Sequence, residues 1–134
     1  MRIFLDTNVL VSALTARGLS ADLVRAILTD HELLTGEVNV AELRRVLGRR
    51  FRASAAQLQA VEAWLRQETI VPKPAKASVL PIRDPDDAWV LASAVAGGAD
   101  LLVTGDKDML GVADRAPLPI VDPRGCWERL RGRR

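Results

Sequence analysis

The chain has 134 residues, 49% of them hydrophobic and 27% charged, which is enough apolar material for one domain with a sizeable core and excludes disordered and fibrous classes. Nineteen Lys and Arg face 17 Asp and Glu for a formal charge of +2, so the balance itself names no partner and the positions of the charges carry the information. The single Cys126 excludes an internal disulfide framework and fits the reducing cytoplasm, and the one His leaves no material for a zinc site or a His-based triad.

Met1 to Asn8, MRIFLDTN, is a short apolar run that ends abruptly in Asp6, Thr7 and Asn8. It is too short and too polar for a membrane span and lacks the layout of a signal peptide. It reads as the first strand of an α/β sheet, with Asp6 at the carboxyl end, where such sheets place ligands; Asp6 is equally readable as the N-cap of the helix that follows. Val9, Leu10, Ala13 and Leu14 keep helical spacing, and Gly18 marks a stop. Ser20 is a cap for a second helix over Ala21 to Leu28, and His31 falls in a surface connection.

Glu32 to Thr35 predicts a strand ending at Gly36, and Val38 to Leu47 a helix that carries Glu42. Taken alone, a Glu at mid-helix is an ordinary solvated residue. Arg44, Arg45, Arg49, Arg50 and Arg52 then place five cations in nine positions, either a solvated face or a phosphate-attracting patch. Two Phe, three Trp and no Tyr make stacking platforms for single-stranded nucleic acid scarce. Ser54 and Gln57 have capping-box spacing before a helix reaching about Glu68, and Thr69 to Val71 is a brief strand before a Pro-rich connection.

Arg83 to Ala99, RDPDDAWVLASAVAGGA, opens with three carboxylates in four residues. Asp84 fits an N-cap with Pro85 at the first helical position, and Asp86 and Asp87 fall in the first turn, where the helix dipole favours negative charge. Three acids exceed what capping needs. Leu101 to Thr104 is a second apolar run ending in acids, Asp106 and Asp108; Pro119 to Val121 is a last strand, and Asp122 with Pro123 starts a terminal helix through about Leu130. Arg129, Arg131, Arg133 and Arg134 make a basic end.

Strands alternating with helices indicate parallel pairing, which brings Asp6 and Asp106 to one sheet edge, with Asp87 and Glu42 able to approach them. Such a carboxylate cluster is unfavourable without a cation, and oxygen ligands without Cys or His suit Mg²⁺ or Mn²⁺ and phosphodiester hydrolysis. The segments IFLDTNVLVSAL, AELRRVL, DPDDAWVLASAVAGGAD and LLVTGDKDML, in this order and spacing, resemble the PIN-domain ribonucleases, especially VapC-like toxins of bacterial toxin–antitoxin pairs, over nearly the whole chain.

The resemblance implies a single PIN-like domain over residues 1–134, a three-layer α/β/α sandwich on a central, mainly parallel sheet. It also implies a Mg²⁺ or Mn²⁺ site, endonucleolytic cleavage of RNA, a homodimer and a cognate antitoxin. Position by position, Asp6, Glu42, Asp87 and Asp106 take the acidic-quartet roles. Asp108 looks like a fifth acid at the metal, and Asn8 and Thr104 like polar groups that orient ligands or water. Asp87 matches the family helix best through AWVLASA, with Asp84 contributing through water. Two alternatives remain: an RNA-binding or regulatory module without catalysis, and another Mg²⁺ enzyme. A Toprim-like site wants Glu where Asp6 stands, and a haloacid-dehalogenase-like phosphatase wants Asp where Asn8 stands.

Overall fold

In the computed structural model of the protein, residues 1–132 are described; Arg133 and Arg134, the last of the basic end, lie outside them. The two apolar runs that end in acids are neighbouring strands. β1 (Arg2–Leu5) pairs in parallel with β2 (Glu32–Gly36) on one side and with β4 (Leu101–Val103) on the other, with Leu5 opposite Val103. β3 (Thr69–Val71) extends the sheet beyond β2, and β5 (Ile120–Val121) extends it beyond β4. The result is a five-stranded, all-parallel sheet in the order β3-β2-β1-β4-β5.

Because side chains alternate across a strand, a sheet buried on both faces needs apolar residues at successive positions. The RIFL and LLV runs supply them. Ile3, Leu5, Leu101 and Val103 point into one core cluster, where they meet α1 (Thr7–Thr15), α2 (Leu19–Asp30), α3 (Glu37–Arg50), α4 (Ala55–Leu65) and α7 (Pro123–Leu130). Phe4, Leu34, Leu102 and Ile120 point into the other, against α5 (Pro85–Ala96) and α6 (Lys107–Leu110). Helices therefore cover both faces, and the α/β/α layering is as the sequence predicts. Among the described residues no helix is long and apolar enough to cross a membrane.

Two local expectations need correction. Helix α2 begins at Leu19, capped by Gly18 with φ 141° and with no side-chain cap bond, so Ser20 lies inside the helix and does not cap it. The acids after β4 also build a short helix, α6, capped by Asp106, which the apolar pattern alone does not announce. The capping expectations at Ser54 and Asp84 hold in detail. Ser54 accepts the Gln57 N–H at 3.1 Å while Gln57 accepts the Ser54 N–H at 2.8 Å, and Asp84 caps α5 with Pro85 in its first turn.

Candidate active site

The strand order reverses between β1 and β4: the chain works outward from β1 to β2 and β3, then returns to build β4 and β5 on the other side. In an open α/β sheet this is where a crevice opens beyond the carboxyl ends of the strands. Asp6 follows β1 at that point, with its own N–H bonded to the Val103 carbonyl at 2.9 Å, and Thr104 follows β4 beside it.

Asp6 is 3% exposed and each carboxylate oxygen has two donors. Oδ1 accepts the Thr7 N–H at 2.7 Å and Asn39 Nδ2 at 3.2 Å; Oδ2 accepts Thr104 Oγ1 at 2.8 Å and Asn8 Nδ2 at 3.4 Å. The capping reading of Asp6 holds, since the Thr7 bond starts α1, and the other donors fix the carboxylate plane at the sheet edge. Asn8 and Thr104 occupy the orienting positions expected of them: Asn8 Nδ2 also reaches Thr104 Oγ1 at 3.3 Å, and Asn8 Oδ1 accepts the Gly105 N–H at 2.9 Å. Asn39 was not singled out in the sequence. It is fully buried, donates also to Thr7 Oγ1 at 2.9 Å, and accepts the Gly36 N–H at 3.2 Å, so it ties the end of β2 to Asp6. An Asn in the first turn of a helix reads as exposed, and only the β1–β2 pairing reveals its target.

Asp87 sits in the first turn of α5 and is buried, and its Oδ2 has no hydrogen-bond partner. Burial pushes its carboxyl up to about 8, reinforced by the charges of Asp106, Asp6 and Asp84. Asp6 is raised to about 6, again first by burial and then by Glu42 and Asp106, while the Thr104 and Thr7 hydrogen bonds oppose the rise. Asp106 is half-buried and accepts the Asp108 N–H at 2.8 Å.

Asp6, Asn8, Glu42, Asp84, Asp87 and Asp106 line one cavity of about 400 Å³. The four acids of the expected quartet thus share a wall, with Asp84 at the rim. Asp108 is not among the residues that line the cavity; its carboxylate lies 4.0 Å from Arg83 Nε. The Arg group is also divided. Arg50 lines the acid cavity and Arg45 an adjacent hollow with Glu42 and Lys73, whereas Arg44 is paired with Glu62 at 2.9 Å, and Arg49 and Arg52 are exposed without lining either.

Among the described residues no three His, Cys, Asp or Glu side chains already close on one point as a metal cage. Their chemistry nevertheless fits a hard cation. The donor set is all oxygen, and a buried carboxylate oxygen without a donor beside two further carboxylates is an arrangement that a divalent cation relieves.

The family model described as PIN domain matches residues 2–108. In solved structures the chain is similar to VapBC2 from Rickettsia felis, bound to a DNA fragment from their promoter, at 19% identity and a TM-score of 0.66, covering 91% of this chain and 98% of that one. It is similar to VapBC-1 from nontypeable Haemophilus influenzae at 20% identity and a TM-score of 0.65, covering 92% and 99%. FitAcB from Neisseria gonorrhoeae gives 21% identity and a TM-score of 0.60, covering 91% and 98%. No curated protein sequence matches the chain.

Proposed function

Because the chain belongs to the PIN domain family, we propose that it is a metal-dependent endoribonuclease, a single-domain hydrolase of RNA phosphodiester bonds that acts in the cytoplasm as the toxin of a toxin–antitoxin pair. The observation that carries this reading is the buried, unpartnered Asp87 Oδ2 in one cavity with Asp6, Asp106 and Glu42 at the sheet's switch point.

Asp6, Asp87 and Asp106 would hold Mg²⁺ or Mn²⁺, with Asp84 assisting from the rim through water; Asp108, which does not line the cavity, is left out of that set. When bound, the cation supplies Lewis acidity toward a phosphodiester and makes a coordinated water more acidic. The chain's own residues prepare the rest. Asn8, Thr104, Thr7 and Asn39 hold both oxygens of Asp6, so its lone pairs keep one direction. Glu42, half-buried in the cavity lining, would orient a water and take its proton, and Arg50 would draw the anionic backbone to the same cavity. The VapBC complexes among the similar structures support a cognate antitoxin for this chain, and a homodimer is proposed with it from the family resemblance alone.

The test is cleavage of RNA by the purified protein with Mg²⁺ or Mn²⁺. Asp6→Asn keeps the shape of the side chain and the two hydrogen bonds of its remaining oxygen, and should lower turnover at least ~100-fold, the scale expected when one group of a preorganised site is removed, with an unchanged circular dichroism spectrum. Undiminished cleavage by that variant would refute the site, and RNA binding without turnover by the wild type would replace the nuclease with a non-catalytic RNA-binding module.

A further inference from the structure

We propose that Phe51 is a base-stacking residue of this site, with Arg50 as the cation that passes from its ring to the substrate's phosphate. The proposal rests on the endoribonuclease reading and adds a nucleobase subsite to it. The described residues contain three cation–π pairs: Lys73 over Trp89 at 4.3 Å, Arg131 over Trp127 at 5.8 Å and Arg50 over Phe51 at 5.6 Å. Of these, only the Arg50–Phe51 pair lines the cavity that holds Asp6, Asp87 and Asp106.

Phe51 is 44% exposed, although a Phe at a helix end is ordinarily folded into the core. The backbone holds it there. Helix α3 stops at Arg50, Arg52 takes φ 54°, a left-handed conformation that an L residue adopts only at a cost, and the Ala53 N–H returns to the Leu47 carbonyl at 3.0 Å. The turn is thus closed on itself and leaves the ring at the cavity mouth, beside Val11 and Val46, with Glu42 two turns back along the same helix.

A ring in that position is suited to a flat, polarisable partner that reaches the acids from outside. The Arg50 guanidinium carbon stands 5.6 Å from the ring centroid, near enough for a cation–π attraction. A nucleobase presents the same shape with a π-face, and taking the guanidinium's place would release Arg50 toward a phosphate oxygen next to the acids. Trp89 is less suitable, being half-buried and outside the acid cavity, and Trp127 packs against the core cluster on α7. The composition makes stacking platforms scarce, but one is enough if it stands at the acids.

The experiment compares wild type, Phe51→Leu and Phe51→Trp on a single-stranded RNA oligonucleotide and on copies carrying one abasic position, with Mn²⁺ for cleavage and with EDTA for binding by fluorescence anisotropy. Phe51→Leu should raise KM and weaken metal-free binding by about 5- to 100-fold, the range of losing one base–aromatic stack, and Phe51→Trp should restore both. One abasic position should cost the wild type a similar factor and cost Phe51→Leu nothing more. Equal KM and affinity in wild type and Phe51→Leu, with cleavage intact, would overturn the stacking role and leave the nuclease standing. A Phe51→Leu protein that binds RNA normally but loses self-association in light scattering would overturn it too, by assigning the ring to a protein contact. A wild type that neither binds nor cuts RNA would remove the endoribonuclease reading and this subsite together.

Discussion

Asp6 shows why single residues in this sequence support two readings: one carboxylate caps α1 through the Thr7 N–H and also faces Asp87 and Asp106 across the cavity. Residue type and position put it at the sheet edge but left the cap and site readings equal, and the acids of the distant segments tipped that balance. Asn39 was invisible for the opposite reason: its neighbours Glu37, Val38 and Val40 describe an ordinary helix start, while its partners Asp6 and Thr7 are more than thirty residues away in sequence. Its side chain satisfies three buried groups, the Gly36 N–H, Thr7 Oγ1 and Asp6 Oδ1. Asn39→Ala should therefore cost about 1–3 kcal/mol, the usual penalty of leaving buried polar groups unmade, seen as a lower urea midpoint with an unchanged slope. A loss below about 0.5 kcal/mol would mean that water takes over its bonds, and would remove Asn39 from the support of Asp6.

Elements were legible where a periodic apolar pattern ran long enough to be read, and less so where it did not. After Arg2, strands β1 and β4 are apolar runs followed by acids, and α5 carries Asp84, Pro85 and a core stripe, so their boundaries follow from local chemistry. Helix α6 spans four residues and buries one, Met109, leaving no stripe to detect. Gly97 reads in the sequence as a helix stop, and the structure gives it a second reason. A Cβ there would stand 2.6 Å from Val71 Cγ2 and 3.2 Å from Leu34 Cδ2, both short side chains in the core under α5. Its φ of −78° is open to any residue, so the constraint is steric rather than conformational. Gly97→Ala should destabilise the protein by about 1–3 kcal/mol through overpacking, and Val71→Ala in the same background should recover part of that by making room. Additive losses in the double variant would show that the two positions do not share the contact.

At the scale of the whole molecule, parallel topology made the convergence of Asp6 and Asp106 predictable, since neighbouring strands must emit their acids at one edge. What topology could not give is the electrostatic balance of the closed site, which depends on burial from both layers, and that balance sets how the protein responds to pH and metal. Asp6 and Asp87 ionise near 4 in an unfolded chain but near 6 and 8 here, chiefly through burial. Between those values the folded protein holds protons that the unfolded chain has released. The sign follows: their contribution to stability is fully present below about pH 4 and is lost as pH rises, through about 6 for Asp6 and about 8 for Asp87. Glu32, Glu37 and Glu62 are lowered, mainly by the Thr69 hydroxyl for Glu32 and by Arg66 for the other two, so their contribution is already complete above about pH 5 and does not mask the trend. In EDTA, thermal midpoints should therefore fall from pH 5 to pH 8. Mg²⁺ or Mn²⁺ competes with the protons for the same oxygens and should raise the midpoint more at pH 8 than at pH 5, flattening the profile. Asp87→Asn removes the higher titration, so its metal-free midpoint should stop falling near pH 6 and respond less to the cation. A metal-free wild type that gains stability from pH 5 to 8, or gains equally from the cation at both, would show that these carboxylates are not the proton and metal store of the fold.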